Sequence, residues 1–437
     1  MSSQTSGIRI AIIGGGIAAA ILLRGLLRYP HIAVEIYTSR PVFAEDSHST
    51  LSFTPAAEEI MLKIDPALAD CLDAAEAVLA STSAFLAAGP HAGQRVDRGS
   101  SPTTAQRIVE AQRFLAEVLR GMPPRMVHPN TRISSIAELV SPNSGVLLTF
   151  PDGTQKKYDV VIGADGIHGA TREFVLGPSD PALRPRHTGV WRLPIQVPYR
   201  KAVEAMGSSA FLDPAQGPCQ TAWIGRGTYL QCDFMGVDRD VYITAYGYHD
   251  EFDADGPWAR LLTPEEFGAV FEDTTVSVCR GMINLIQAQY TVQVTGLSYM
   301  QHRPARTYVS HTAALIDESA HSVLTLRGIN ILIALEEVYV LLTLFSRSSF
   351  ASKTFIPAAL QAFDAVCRPR AEEAEVNTNR YGLMAIGRDE EVGLDVGRME
   401  AGLGYYWGLL REDRIEERRG NAVGIMEGLS CHFSNSA

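Results

Sequence analysis

Arg9-Ile10-Ala11-Ile12-Ile13-Gly14-Gly15-Gly16-Ile17-Ala18-Ala19 runs from an apolar stretch straight into a glycine turn. A continuous apolar run of this kind suits a strand buried on both faces of a parallel sheet. The turn opens a helix reaching about residue 29, and Ala33-Val34-Glu35-Ile36-Tyr37 supplies a second strand, so the unit reads as βαβ. Within the G-x-G-x-x-A pattern, Gly14 permits the tight turn and Gly16 lets the backbone approach a pyrophosphate. Ala19 is small enough for helix to pack on strand. The helix N-terminus offers N–H groups and a positive dipole end to the phosphate. The residue closing the second strand should be acidic, to bind ribose hydroxyls. Here it is Thr38, followed by Ser39 and Arg40.

Outward from this unit, apolar residues at helical spacing predict a helix over 55–80, and a Gly/Ser/Pro-rich loop follows at 89–104. A second amphipathic helix is expected over 108–119, then a strand, a Pro151-Asp152-Gly153 turn and a strand ending at Gly163. From 184 to 301 the texture is β-rich. Strand-then-helix returns near 315, and the stretch 371–429 is charged and helical. This order predicts an α/β fold. The β-rich stretch is a candidate second domain.

The 437 residues are 46% hydrophobic and 20% charged, with a formal charge of −11. That is an ordinary globular composition, and it lacks the basic footprint of a general nucleic-acid binder. Six scattered cysteines, without C-x-x-C or metal-finger spacing, read as reduced thiols. The apolar run 328–345 carries Glu336 and Glu337 at its middle, so it reads as a buried helix and not a membrane span. A cytoplasmic protein is expected. No metal motif, P-loop or Ser/His/Asp order is present.

Three blocks together resemble the class A flavoprotein monooxygenases, the salicylate and para-hydroxybenzoate hydroxylase group. They are the glycine turn, Asp159-Val160-Val161-Ile162-Gly163-Ala164-Asp165-Gly166 with Thr171-Arg172, and the stretch 315–341. The resemblance implies a Rossmann-like, doubly wound FAD/NAD(P)-binding domain (1–75, 100–183 and 302–365), interleaved with a β-sheet substrate domain (76–99 and 184–301) and followed by a C-terminal helical segment (366–437), with FAD and NADPH as cofactors. Carried over position by position, the flavin contacts fail repeatedly. The ribose acid falls on Thr38, and the Gly-rich loop beside the flavin reads Asp46-Ser47-His48-Ser49-Thr50. The cofactor-contacting Arg falls on Ala111, with Arg113 two residues away. The G-D-A-A-H block reads Asp317-Glu318-Ser319-Ala320-His321, its following proline falls on Thr325, and the G-Q-G turn reads Gly328-Ile329-Asn330. Two acids beside two phosphates repel. Even about 1 kcal/mol lost at each position weakens binding by roughly a thousandfold. Gly14, Gly16, Ala19, Thr38, Asp165 and Glu318 are therefore expected as a vestigial cofactor site, and no bound cofactor is expected.

The resemblance also places Arg192 in the substrate pocket, where a guanidinium would hold a phenolate with two donors. Tyr229 would be a second pocket residue and His302 an acid/base group near the flavin edge. The plainer readings are a surface-paired arginine, a core tyrosine and a loop histidine. His321 reads as a packing residue, and Glu336 and Glu337 as helix-face charges. Three functions follow for a small-molecule substrate. One is a flavin-independent enzyme of specialised metabolism performing cyclisation, pericyclic closure, isomerisation or dehydration on an aromatic, polyketide or terpenoid intermediate. The second is an FAD- and NAD(P)H-dependent hydroxylase or epoxidase, and the third a non-catalytic binding protein.

Overall fold

The computed structural model describes residues 7–40, 49–97, 105–139, 145–207, 215, 217–237, 239–249, 259–290, 294–322, 328–347, 353–411 and 414–434. Asp46–His48 and Thr325 lie outside them.

Ile8–Ile13 is the central strand of a five-stranded parallel sheet, ordered 313–315, 160–163, 8–13, 32–37, 127–128. Ile10, Ala11 and Ile12 are wholly buried, as the unbroken apolar run requires. Helix Ile17–Leu26 buries every residue except Arg24. Gly14 has a φ of +137°, and a Cβ there would lie 1.8 Å from the Ala164 carbonyl oxygen, so only glycine lets the two strand ends meet. Helix Ile329–Ser346 packs on Ile17–Leu26, and Gly25 exists for that contact: its Cβ would lie 2.4 Å from Leu342 Cδ1. This helix alone among the described residues is long and apolar enough to cross a membrane, and it is 78% buried within the protein.

The second sheet has nine strands, ordered 259–262, 294–301, 186–197, 241–248, 228–234, 219–224, 78–86, 106–110, 50–53. Alternation along each strand splits its residues between two faces. Trp191, Leu193, Ile195, Leu230, Cys232 and Ile243 pack in one apolar cluster with Ala202 and Met206 of helix Tyr199–Met206 and Val278–Ile286 of the helix Ser277–Gln289. The opposite face carries Arg192, Tyr229, Gln231, Asp233, Thr244 and Tyr246. Thr50–Phe53 and Gln106–Glu110 hydrogen-bond into this sheet, so they tie the segments before and after 76–99 to the substrate side.

Several local expectations are corrected. The helix expected over 55–80 is two helices, Pro55–Ile64 and Ala67–Ala74, followed by strand Val78–Leu86. Pro66 pushes Asp65 into extended geometry and ends the first helix. The helix expected from 108 begins at Ala111, because Gln106–Glu110 is recruited as a strand by its two antiparallel neighbours. Val146–Thr149 and Gln155–Tyr158 belong to a small three-stranded sheet, and Val160–Gly163 leaves it for the parallel one. Glu336 and Glu337, read as helix-face charges, are both buried and paired. Glu336 meets Arg370 Nε (3.1 Å) and Arg418 Nη2 (2.8 Å), tying Ile329–Ser346 to C-terminal helices Ile356–Ala385 and Ile415–Ser434. Glu337 is buried against His321. The five cysteines with described side chains are free thiols.

Candidate active site

A cavity of about 740 Å³ runs from the Gly14–Ile17 turn, past Asp165, Asp317 and Glu318, to the polar face of the large sheet. Its size is that of a cofactor or small-molecule site.

At the nucleotide end, Gly16 is the N-cap of Ile17–Leu26, in extended backbone and without a side chain in the way. Ala19 lies wholly inside the helix–sheet contact and does not reach the cavity. Thr38 borders the cavity but is buried, and its groups serve its own turn. Its N–H donates to the His128 carbonyl (3.1 Å), its carbonyl accepts from Thr131 N–H (2.8 Å), and its Oγ1 accepts from Arg40 N–H (3.3 Å). The acid on this strand is Glu35, engaged elsewhere by Lys156, Tyr37 and His128, each at 2.8 Å. Burial pushes its carboxyl up, but the hydrogen bonds from Lys156, Tyr37 and Tyr158 outweigh it and hold it at about 2. Ala111 is buried. Arg113 is paired on the surface with Glu76 (2.7 Å) and Glu110 (2.8 Å), so no register shift brings it to the cleft.

The middle of the cavity is acidic. Asp317 and Glu318 line it, and Asp317 is held at φ +56°, a left-handed conformation that favours glycine. Its N–H donates to Glu337 Oε2 (2.8 Å), whose other oxygen binds His321 Nε2 at 2.9 Å. Asp165 accepts from Thr171 N–H (3.1 Å) and from the Thr171 hydroxyl, and burial raises its pKa. Gly169 is required beside it, since a Cβ would lie 2.1 Å from Asp165 Oδ1. The cationic residues on the cavity wall, Arg40, Arg132 and Arg192, stand at its two ends. Carboxylates line the stretch that a diphosphate would cross, with neither a ribose acid nor the helix arginine present.

The substrate end is set by strand register. Arg192 pairs with Tyr246 and Tyr246 with Tyr229, giving one row across three strands; Pro194, Thr244 and Gln231 form the next. Arg192, Gln231, Thr244, Tyr246 and Tyr299 border the cavity. The Arg192 guanidinium lies 5.8 Å from the Tyr299 ring centroid. Tyr299 stacks on Tyr246 (6.2 Å, 19°) and shares a hydrogen bond with it. Burial raises the Tyr246 pKa well above the ordinary phenol value, so its hydroxyl stays protonated.

Two expected residues are displaced. Tyr229 is buried edge-on behind Tyr246 (5.3 Å, 77°) and is not on the cavity wall. His302 is also off the wall, buried with Nε2 on the Ile167 carbonyl (2.8 Å). Burial, then the charge of Arg172, lowers its pKa to about 4, which leaves no cation for acid catalysis near neutrality. Tyr246 and Tyr299 were not singled out in the sequence. The β-rich texture of 184–301 took in Tyr246, but only the pairing with Arg192 brings it to the cavity.

The chain is 30% identical over 390 residues to a 6-methylsalicylate 1-monooxygenase of Aspergillus terreus, covering 86% of this chain and 82% of that one. It belongs to the FAD-dependent monooxygenase family. A salicylate hydroxylase of Pseudomonas putida is 24% identical over 416 residues, 90% of this chain and 89% of the relative. Among solved structures, a salicylate hydroxylase substrate complex superposes with a TM-score of 0.80 at 21% identity, covering 96% of this chain and 98% of that one. CtdE in complex with FAD and substrate gives 0.77 at 15% identity, covering 98% and 100%. No family model matches the chain. The monooxygenase fold is thus retained, with the flavin-contact positions altered as described.

Proposed function

We propose that this member of the family is a small-molecule enzyme of specialised metabolism that works without flavin. It would catalyse a non-redox step, such as cyclisation, isomerisation or dehydration, on an aromatic or polyketide intermediate. The observation that carries this reading is the pair Asp317 and Glu318 on the cavity wall where an anionic diphosphate would lie. The reacting groups are then the protein's own. Arg192 holds a phenolate or enolate oxygen with two donors, and the Tyr246 hydroxyl donates to charge that develops beside it. Proximity in a preshaped cavity supplies the rest of the rate.

A second reading keeps the family chemistry, an FAD- and NAD(P)H-dependent hydroxylation or epoxidation. It is favoured by the continuity of the cavity from the glycine turn to Arg192 and by the FAD held in the related CtdE structure. In that case the residues at the substrate end do the same work of binding and orientation.

Incubating purified protein with candidate phenolic intermediates, without reduced nicotinamide and under anaerobic conditions, separates the readings. A product of unchanged mass, or of the mass less water, supports the first. Conversion that requires NADPH and oxygen, with gain of one oxygen atom, supports the second. Ligand binding with no conversion under either condition leaves a binding protein.

A further inference from the structure

The wall beyond Arg192 has a hydrogen-bonding polarity fixed from behind. Gln231 and Thr50 border the cavity, and both give hydrogens to one buried carboxylate. Gln231 Nε2 donates to Asp233 Oδ1 and Oδ2 (3.2 and 3.1 Å), and Thr50 Oγ1 donates to Asp233 Oδ2 (2.5 Å). A carboxylate only accepts, so it fixes both neighbours. The Gln231 amide is turned with its nitrogen inward, leaving its carbonyl oxygen for a ligand. The Thr50 hydroxyl has its proton committed and offers lone pairs. The polar layer continues away from the cavity. Gln220 lies opposite Asp233 and beside Thr82 in the register, and donates to Ser52 Oγ (3.3 Å). Gln220 Oε1, both ends of the Gln106 amide and Thr82 Oγ1 are buried without a protein partner. Each such group is costly to bury unless something completes it.

Resting on the reading of Arg192 as the anion site, we infer that Gln231 and Thr50 form an acceptor-only subsite. It selects substrates carrying a hydroxyl at the end remote from their anionic oxygen, with Asp233 as the positioning residue. Strand spacings put Gln231 about 12 Å from Arg192, two strands across and two residues along. A rigid fused bicyclic skeleton, longer than a single ring, is the probe chosen for that separation. A second anion at the remote end meets the Gln231 and Thr50 oxygen atoms, backed by the Asp233 carboxylate.

The test is calorimetric binding of three probes to the full chain: 6-hydroxy-2-naphthoate, 2-naphthoate and naphthalene-2,6-dicarboxylate. The hydroxylated probe is expected to bind about tenfold tighter than 2-naphthoate, and the dicarboxylate weakest. Asp233→Asn frees the amide and hydroxyl to reorient, so the hydroxyl advantage falls below about threefold and the dicarboxylate recovers. The readout is the ratio of the hydroxylated probe to 2-naphthoate measured in the same variant. Gln231→Leu removes the acceptor and the advantage with it, and carries the test if the Asp233 variant does not fold. Arg192→Ala weakens all three probes equally, which reports on the anion site separately. Equal binding of the three probes to the wild type, no binding of the hydroxylated one, or a ranking that survives both subsite variants overturns the inference.

Discussion

The Arg192 guanidinium lies over the Tyr299 ring, 5.8 Å from its centroid, and Tyr299 in turn stacks on Tyr246. The contact fixes a flexible cation on an aromatic platform facing the cavity, where two parallel N–H groups can meet an oxyanion. Arg192→Ala is expected to lower kcat/KM by about 100-fold. Arg192→Lys should recover little, because an ammonium is a point charge without the planar fork. Steady-state kinetics of the three forms checks this.

Tyr246 and Tyr229 share one row of the sheet but only Tyr246 borders the cavity. Tyr246→Phe should lower kcat at least about tenfold through loss of the O–H donor. Tyr229→Phe should leave kcat within about twofold and change only the melting temperature. Comparable losses in kcat for the two variants would contradict the assignment.

The buried His321–Glu337 pair gives stability a defined pH dependence. Burial disfavours the imidazolium, but Glu337 at 2.9 Å outweighs it, aided by Asp317 and Glu375, and the His321 pKa is raised above 6.5. A raised folded value means that the contribution is fully present below the unfolded pKa and is lost as pH rises through the folded one. The melting temperature should therefore fall as pH increases above about 6.5. In Glu337→Gln this slope should flatten, as differential scanning calorimetry between pH 6 and pH 9 would record.

Asp317 occupies a left-handed backbone position with its carboxylate on the cavity wall. Asp317→Gly removes strain of about 1 kcal/mol and one negative charge together. The variant should be no less stable than the parent, and its affinity for FAD should rise. Adding Thr38→Glu should raise it further by restoring a ribose acid. Titration of FAD fluorescence against each variant reads both steps.

How much of this was written in the sequence depends on how local the signal was. The strand–glycine turn–helix at 10–19 is local, and Gly14 and Ala19 take the packing positions that the pattern assigned. Residues 108–110 looked helical because the strand identity of Gln106–Glu110 comes from two neighbours distant in sequence. Glu336 and Glu337 read only as helix-face charges because their partners Arg370, Arg418 and His321 come from other segments. Tyr246, Gln231 and Asp233 became legible only once register placed them on the Arg192 face. Tyr229 and His302 were misplaced for the same reason, since burial depends on the layer above them.

The central claim is that the scaffold of an FAD-dependent monooxygenase persists while its hold on the flavin has been lost. The absorption spectrum of the protein as purified, followed by equilibrium titration with FAD, tests it most directly. The account predicts a colourless protein whose FAD affinity is weaker than that of an intact flavin site by roughly a thousandfold. A yellow protein carrying one tightly bound FAD per chain would contradict it.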